Sequence, residues 1–322
     1  MEKPIINLDG LTKYYGSFKA VDSLDLRIKK GEIFGLLGPN GAGKTTTILM
    51  MLGLAEPSSG TAHVCGINAT IDPIAVKRRV GYMPDSIGFY DNMTALENLK
   101  YIGELNGIIR SEIEERAVSV LETVGLSGAV IHKKASAFSR GMKQRLGLAE
   151  VLIKDPEVVV LDEPTLGIDP SGVREFLALI SRLSRERGLT VLLSSHHLYQ
   201  VQKVCDRVGI FVGGTLLGEG SIDYLAKRLF SENPHSVKVT LQEALPVSSQ
   251  EKEELMGMTA VLQVTVDGHS VEIGSKDNIT PEIVRFFVEK GYGITAVQNK
   301  EYGLEEIYQT YFENNKIENK IP

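Results

Sequence analysis

A chain of 322 residues with 43% hydrophobic and 24% charged residues can bury a real core, and its length suits about two domains. Its formal net charge of −6 argues against a nucleic-acid coat or a polybasic membrane binder, so no nucleic-acid partner is expected. Cys65 and Cys205 lie too far apart in sequence for a disulfide framework or zinc ribbon, and they read as small buried hydrophobes in a reducing compartment. No run approaches the ~18 consecutive apolar residues of a membrane span. Met1 to Asp9 lacks a basic region followed by an apolar run, so no secretory signal is expected and the chain is placed in the cytoplasm.

In chain order, Ile33-Phe34-Gly35-Leu36-Leu37 is uniformly apolar and predicts a buried strand, followed by a Gly-rich turn and a helix over Lys44 to Leu52. An all-helical insert is predicted over about Met93 to Ile153. Within it, Ser111 and Glu114 form a capping box for a helix carrying Ile113, Ala117, Val120, Leu121 and Val124 on one face and stopping at Gly125. Val158-Val159-Val160-Leu161 is a second buried strand. A helix over Val173 to Arg187 repeats Phe176, Leu177, Ile180 and Leu183 at helical spacing, and Thr190 to Ser194 is a third strand. Uniformly apolar strands separated by helices predict an α/β fold with a parallel sheet covered on both faces.

Beyond Leu217 the composition shifts, and Asn233-Pro234 marks a linker between domains at 1–230 and 235–322. The tail reads as strand 236–241, helix 249–256, strand 261–266, a turn at Asp267-Gly268, strand 270–273, helix 281–290, strand 294–299 and helix 304–314. That order is the split βαβ pattern of a ferredoxin-like α+β domain, and no catalytic constellation is evident in it.

Gly38-Pro39-Asn40-Gly41-Ala42-Gly43-Lys44-Thr45 fits G-x-x-x-x-G-K-[ST] and sits between a buried strand and a helix, as a phosphate cradle requires. Glycines let backbone N–H groups turn onto phosphate oxygens, and the helix N-terminus adds its positive end. Lys44 reaches the β- and γ-phosphates of ATP, the Thr45 hydroxyl ligates Mg²⁺, and Thr46 extends the run. The apolar strand ending in Asp162-Glu163 supplies the counterpart: Asp162 for the metal, Glu163 for an attacking water. An acidic pair at a strand end can also cap the next helix, but Pro164 follows instead of a helical run.

With these two motifs on the page, the first 220 or so residues resemble the ATP-binding subunit of an ABC transporter. The resemblance implies a P-loop core with a small antiparallel β region near the N-terminus, ATPase activity, and ATP with Mg²⁺ as cofactors. It places Tyr15 against adenine, with Tyr14 as the alternative. Phe138-Ser139-Arg140-Gly141-Met142-Lys143-Gln144-Arg145 resembles the family signature Leu-Ser-Gly-Gly-Gln. Ser139 and Gly141 match; Phe138, Arg140 and Met142 depart toward an exporter-type form. In the family this segment completes the ATP site of a facing subunit, so a second copy of this chain is an expected partner. Leu166-Gly167-Ile168-Asp169 resembles the D-loop, and His196, beside His197, resembles the switch histidine that assists hydrolysis. Asp85 falls where the family usually carries a metal-contacting glutamine; it reads either as an oxygen ligand or as a turn residue after Pro84.

The resemblance further implies a separate multi-span membrane permease, met by the helical insert and residues 86–97, which would hold the chain at the cytoplasmic face of the membrane. Two other classes carry the same core. One is a soluble ATPase acting on ribosomes or DNA, which usually has two cores or a coiled-coil insertion. The other is a module that binds ATP without hydrolysis, against which Lys44, Asp162, Glu163 and His196 together argue.

Overall fold

The structure is a computed structural model that describes residues 3–229, 235–247, 249–300 and 303–318, without the side chains of Lys300 and 313–318. It divides into two compact units, Met1–Ser221 and Ile222–Pro322. The linker predicted at Asn233-Pro234 lies outside the described residues.

In the first unit, β1 (Ile6–Tyr15) and β2 (Phe18–Ile28) pair antiparallel around a tight turn at Gly16, whose φ of 60° suits glycine. β3 (Ile33–Leu37) is buried at all five positions, as a central strand covered on both faces must be. It runs into α1 (Lys44–Met51). β4 (Ser59–Val64) pairs with β1, and the two-residue β5 (Ile67–Asn68) completes a sheet ordered β2-β1-β4-β5. α2 (Pro73–Arg79) starts where the Asp72 carboxylate accepts the Ala75 N–H at 3.0 Å, with proline in its first turn. It leads into β6 (Val80–Met83).

The helical insert contains α3 (Ala95–Leu105), α4 (Ile113–Thr123) and α5 (Arg140–Leu152). α4 buries Ile113, Ala117, Val120 and Leu121, and the chain turns at Gly125 with φ 82°. The capping box predicted at Ser111 and Glu114 does not form. The helix starts after Glu112, whose backbone is already helical and which makes no side-chain cap. The Glu114 carboxylate instead lies 2.6 Å from Lys100 Nζ on α3. The capping box of this region belongs to α3, where the Thr94 hydroxyl accepts the Glu97 N–H at 3.1 Å and Glu97 Oε2 accepts the Thr94 N–H at 2.7 Å.

β7 (Val158–Asp162), α6 (Pro170–Arg187), β8 (Thr190–Ser195), α7 (Leu198–Val201), β9 (Arg207–Val212) and β10 (Thr215–Gly220) finish the unit. The main sheet is ordered β10-β9-β3-β8-β7-β6, with β9, β3, β8, β7 and β6 parallel and β10 turned back as a hairpin. α6 buries Phe176, Leu177, Ile180 and Leu183 and stops at Gly188, φ 63°.

The second unit contains α8 (Ile222–Leu229), β11 (His235–Leu241), α9 (Gln250–Met256), β12 (Val261–Asp267), β13 (Ser270–Ser275), α10 (Thr280–Glu289), β14 (Ile294–Lys300) and α11 (Leu304–Glu318). α8 falls within the span 1–230 assigned to the first domain from sequence, yet it clusters with the second unit. The four strands are antiparallel in the order β12-β13-β11-β14. Val237, Val239, Leu241, Val264, Ile273 and Val271 on the sheet pack with Leu255 of α9 and Ile283 and Phe287 of α10.

Candidate functional site

The loops after β3, β6, β7 and β8 all leave the carboxyl edge of the parallel sheet, where open α/β sheets hold ligands. A cleft of about 510 Å³ lies there, lined by Asn40 to Thr46, Asp85, Asp162, Glu163, Leu166 and His196, with Tyr15 and Phe18 from the β1–β2 hairpin.

α1 begins at this cleft with its N-terminus bare. Gly43, its N-cap, has φ 103°; no side chain caps the helix, and no acidic residue stands in its first turn. Helical bonding starts at the Thr47 N–H to the Gly43 carbonyl, 2.9 Å, and the Ala42 N–H turns back to the Pro39 carbonyl at 3.2 Å, so the amides of Gly43 to Thr46 are left for an anion. The glycines do more than admit a phosphate. A Cβ on Gly38 would overlap the Phe211 carbonyl oxygen, and one on Gly43 the Ala20 carbonyl oxygen, whereas Gly41, φ 80°, faces open space. Two of the three are thus required by packing against neighbouring strands. Gly38 and Pro39 do not line the cleft; they stand behind it and offer carbonyls to Lys44.

Lys44 is buried, its Nζ donating to the Gly38 carbonyl at 2.8 Å and the Pro39 carbonyl at 3.1 Å and lying 3.5 Å from Glu163 Oε1. The Thr45 hydroxyl donates to Asp162 Oδ2 at 2.8 Å. Asp162 is 2% exposed, and its Oδ1 accepts the Ser194 hydroxyl. Ser194, fully buried on β8, also accepts the Glu163 N–H at 3.2 Å. One hydroxyl therefore bridges the two acidic residues. In the sequence Ser194 reads only as the end of the third strand, just before His196. The signal was there: two serines end an otherwise apolar buried strand, and buried hydroxyls need partners.

Glu163 has φ 49°, a left-handed conformation that costs a non-glycine residue about 1–2 kcal/mol and that the Ser194 bonds hold in place. Its side chain lies between Lys44 and His196, with Oε2 2.9 Å from His196 Nδ1. That pair is close but not aligned as a hydrogen bond. Both Glu163 oxygens and His196 Nδ1 are buried without a hydrogen-bond partner among the described residues. Buried polar atoms left without partners are the mark of groups directed at a ligand or a reacting molecule. His197 lies against His196 with ring centroids 3.9 Å apart and planes tilted by 41°, and burial, then the neighbouring His196, push its imidazole below the usual range.

Asp85 is exposed at the edge of the same cleft and makes no hydrogen bond that would commit it to a turn. Tyr82, just before it, has its hydroxyl pushed up to about 12 by burial and by the charges of Asp162 and Asp85. Tyr15, 51% exposed, is joined across the hairpin by Phe18, 63% exposed, its direct cross-strand partner. Phe18 was not singled out from sequence; its position two residues past the Gly16 turn, facing Tyr15, is the signal that could have found it. Tyr14 is not among the lining residues.

Ser139 and Gly141 are not brought to this cleft. Ser139 caps α5 by accepting the Met142 N–H at 3.3 Å, and a Cβ added to Gly141 would meet only an Ile168 methyl, at 3.8 Å. Asp169 caps α6 by accepting the Gly172 N–H at 3.1 Å. A separate cavity of about 410 Å³ lies between residues 85–89 and the start of α5. Gln144, 5% exposed, lines it with an Oε1 that has no partner among the described residues.

The family model described as ABC transporter matches residues 21–166. A bacitracin transport ATP-binding protein, BcrA, of Bacillus licheniformis is 46% identical over 70% of this chain and 72% of its own length. The protein of the same description from Enterococcus faecalis is 36% identical over 94% of this chain and 95% of its own. Among solved structures, the dimeric structure of a bacterial ABC transporter cassette superposes with a TM-score of 0.61 at 25% identity, over 67% of this chain and 98% of that one.

Proposed function

Since the chain belongs to the ATP-binding subunits of ABC transporters, we propose that its cleft is one half of an ATP-hydrolysing site that closes on a second copy and drives a separate membrane partner. It is an ATPase. The observation that carries the residue roles is Glu163, a buried carboxylate whose oxygens have no hydrogen-bond partner among the described residues, set between Lys44 and His196 beside a bare helix N-terminus.

The phosphates of ATP rest on the amides of Gly41 and of Gly43 to Thr46, with the Lys44 charge on the β- and γ-oxygens. Adenine stacks on Tyr15, with Phe18 beside it. Glu163 Oε1 and Oε2 accept from a water and hold it in line with the γ-phosphorus, while the His196 imidazole contacts the γ-phosphate and the same water. Catalysis here is positioning and charge stabilisation.

The donor set suits a hard divalent ion. The Thr45 hydroxyl and Asp162 present oxygens at the phosphate end, with Asp85 at the same edge. Among the described residues no group of three or more His, Cys, Asp or Glu forms a cage. That fits magnesium, which keeps waters and takes phosphate oxygens as ligands. When bound it supplies neutralisation of the charge that develops on the phosphates.

Ser139 and Gly141 are exposed or half-exposed at the start of α5, away from this cleft, which supports their completing the site of a facing copy. The cavity beside Asp85, lined by Phe89, Phe138, Arg140 and Lys143 with Gln144 buried in it, supports docking of the membrane permease on the insert and residues 86–97. Among the described residues no helix is long and apolar enough to cross a membrane, and we place the chain on the cytoplasmic face through that partner. The exporter-type form of the signature favours export. The split order of the second unit, with strands β12-β13-β11-β14, supports reading it as ferredoxin-like.

Glu163→Gln tests the central role. Multiple-turnover phosphate release should fall by about 100-fold or more, while ATP should trap the variant as a dimer. Hydrolysis at the wild-type rate would remove Glu163 from the mechanism. Adding Ser139→Arg should abolish the trapped dimer; an unaffected dimer would remove the signature segment from the composite site.

A further inference from the structure

An edge strand presents a row of unpaired N–H and C=O groups, and folded proteins guard it. The described sheets have six edges: β2, β5, β10, β6, β12 and β14. Five carry a guard or are short. β2 contains Lys19, Asp22, Asp25 and Arg27 and shifts register against β1 three times. β5 has two residues and β6 four. β10 shifts register between Leu216 and Gly218 and carries Glu219. β12 shifts register between Val261 and Gln263 and ends in Asp267.

β14, like β12, shifts register only at its start and carries a charge only at its end, but where Val261, Val264 and Val266 of β12 are all buried, β14 leaves a valine exposed. Its sequence is Ile294-Thr295-Ala296-Val297-Gln298-Asn299-Lys300, without proline or charge before the last residue. It pairs with β11 in one register from Ser236↔Lys300 to Thr240↔Ala296, irregular only at its start. Its other edge pairs with no strand among the described residues, and Thr295, Val297, Gln298 and Asn299 are exposed. Val297 is out of place in that setting. It sits opposite Val239, which is fully buried, so it lies on the apolar face of the sheet, yet it is 39% exposed.

We propose that β14 pairs antiparallel with β14 of a second copy of this chain, independently of nucleotide. The strand is its own complement. The register that uses all seven residues is centred on Val297. It sets Thr295 against Asn299, Ala296 against Gln298 and Ile294 against Lys300, and no like charges meet. The two Val297 side chains become neighbours and continue the apolar face from Val239 of one copy to Val239 of the other. The product is an eight-stranded sheet, β12-β13-β11-β14 followed by its two-fold mate, of ordinary size for an open sheet. Closed two-fold pairing is the commonest form of self-association. The contact is distinct from the ATP-trapped one of the preceding section. It would hold two first units at high effective concentration, so that closure on ATP becomes an intramolecular event.

The test uses the full chain without nucleotide and with chelator. Light scattering after size exclusion should give a dimer mass at micromolar concentration. Val297→Cys should form an intermolecular disulfide under mild oxidant, because facing strand residues bring Cα atoms within about 4.5–5.5 Å. Thr295→Cys and Asn299→Cys should crosslink to each other in a mixed sample and poorly to themselves. Val297→Lys sets two like charges together on the axis and should raise the dissociation constant about tenfold or more. A nucleotide-free monomer at micromolar concentration, or no self-crosslink of folded Val297→Cys, overturns the proposal. ATP-trapped dimerisation of Glu163→Gln carrying Val297→Lys reads the catalytic dimer separately, so the two proposals fail independently.

Discussion

Removing the Ser194 hydroxyl isolates the link between the two acidic residues of the site. Ser194→Ala deletes one oxygen from a fully buried position and leaves a void smaller than a water molecule, so packing is nearly preserved. The Glu163 N–H keeps an acceptor, since the Ser194 carbonyl lies 3.2 Å away. The loss falls on Asp162, which is 2% exposed and keeps the Thr45 hydroxyl as its one side-chain donor among the described residues. Leaving a buried charged acceptor half-satisfied costs about 1.5–3 kcal/mol. If that cost appears in placing Asp162 for the reaction, it corresponds to a fall of about 10- to 150-fold in kcat. The P-loop amides are untouched, so KM for ATP should stay within about twofold. The magnesium concentration for half-maximal turnover should rise along with the fall in kcat, and Ser194→Cys, a weak donor, should fall between. The assay is steady-state phosphate release against ATP and against magnesium, with a thermal melt alongside. A variant that melts lower but keeps kcat and its magnesium dependence would refute the reasoning and reduce Ser194 to a packing residue.

Gly38→Ala should destabilise the chain by about 3 kcal/mol or more, because its Cβ meets the Phe211 carbonyl, whereas Gly41→Ala, at φ 80° in open space, should cost about 1–2 kcal/mol; denaturant melts order the two. Burial pushes the Glu150 carboxyl from its ordinary 4.5 up to about 8. The folded state therefore holds a proton that the unfolded state releases between those values, and stability is fully present below about pH 4.5 and falls as pH rises toward 8, by up to about 1.4 kcal/mol per pH unit. Glu150→Gln should flatten that slope in melts taken across the window; an unchanged slope would refute the burial argument. Tyr15→Ala should raise KM for ATP by about 5- to 150-fold, the range of a lost base stack, with kcat little changed; Phe18→Ala should raise it by less. Because stacking does not read hydrogen bonds, the ratio of ATP to GTP turnover should hardly move in either.

The cradle and its acidic counterpart were legible because each depends on local chemistry. A strand, a glycine-bearing turn and a helix start must be adjacent in the chain to hold a phosphate, so Gly38 to Thr45 is readable as a unit. Asp162 and Glu163 announce themselves as charges ending an apolar strand, and His196 as a polar residue after another. β9 and β10, missed from sequence, are six residues each and no shorter than the strands that were read; they make sense only once β3 provides a neighbour for β9, and β9 one for β10. The capping box at Ser111 and Glu114 failed for the same reason in reverse: Glu114 had a local partner in sequence and a better one, Lys100, in space.

The sequence by itself determined which side chains could do the chemistry, since residue type and near spacing set charge, hydrogen-bonding capacity and helix position. Only the tertiary structure decided their mutual placement. It made Gly38 and Gly43 packing necessities by setting the Phe211 and Ala20 carbonyls against them. It joined Asp162 to Glu163 through Ser194, a residue 31 positions beyond Glu163. It also put β14 at the edge of its sheet among the described residues, which follows from strand order and not from any stretch of sequence. Contacts across long separations depend on how strands align, and strand alignment is a property of the whole sheet.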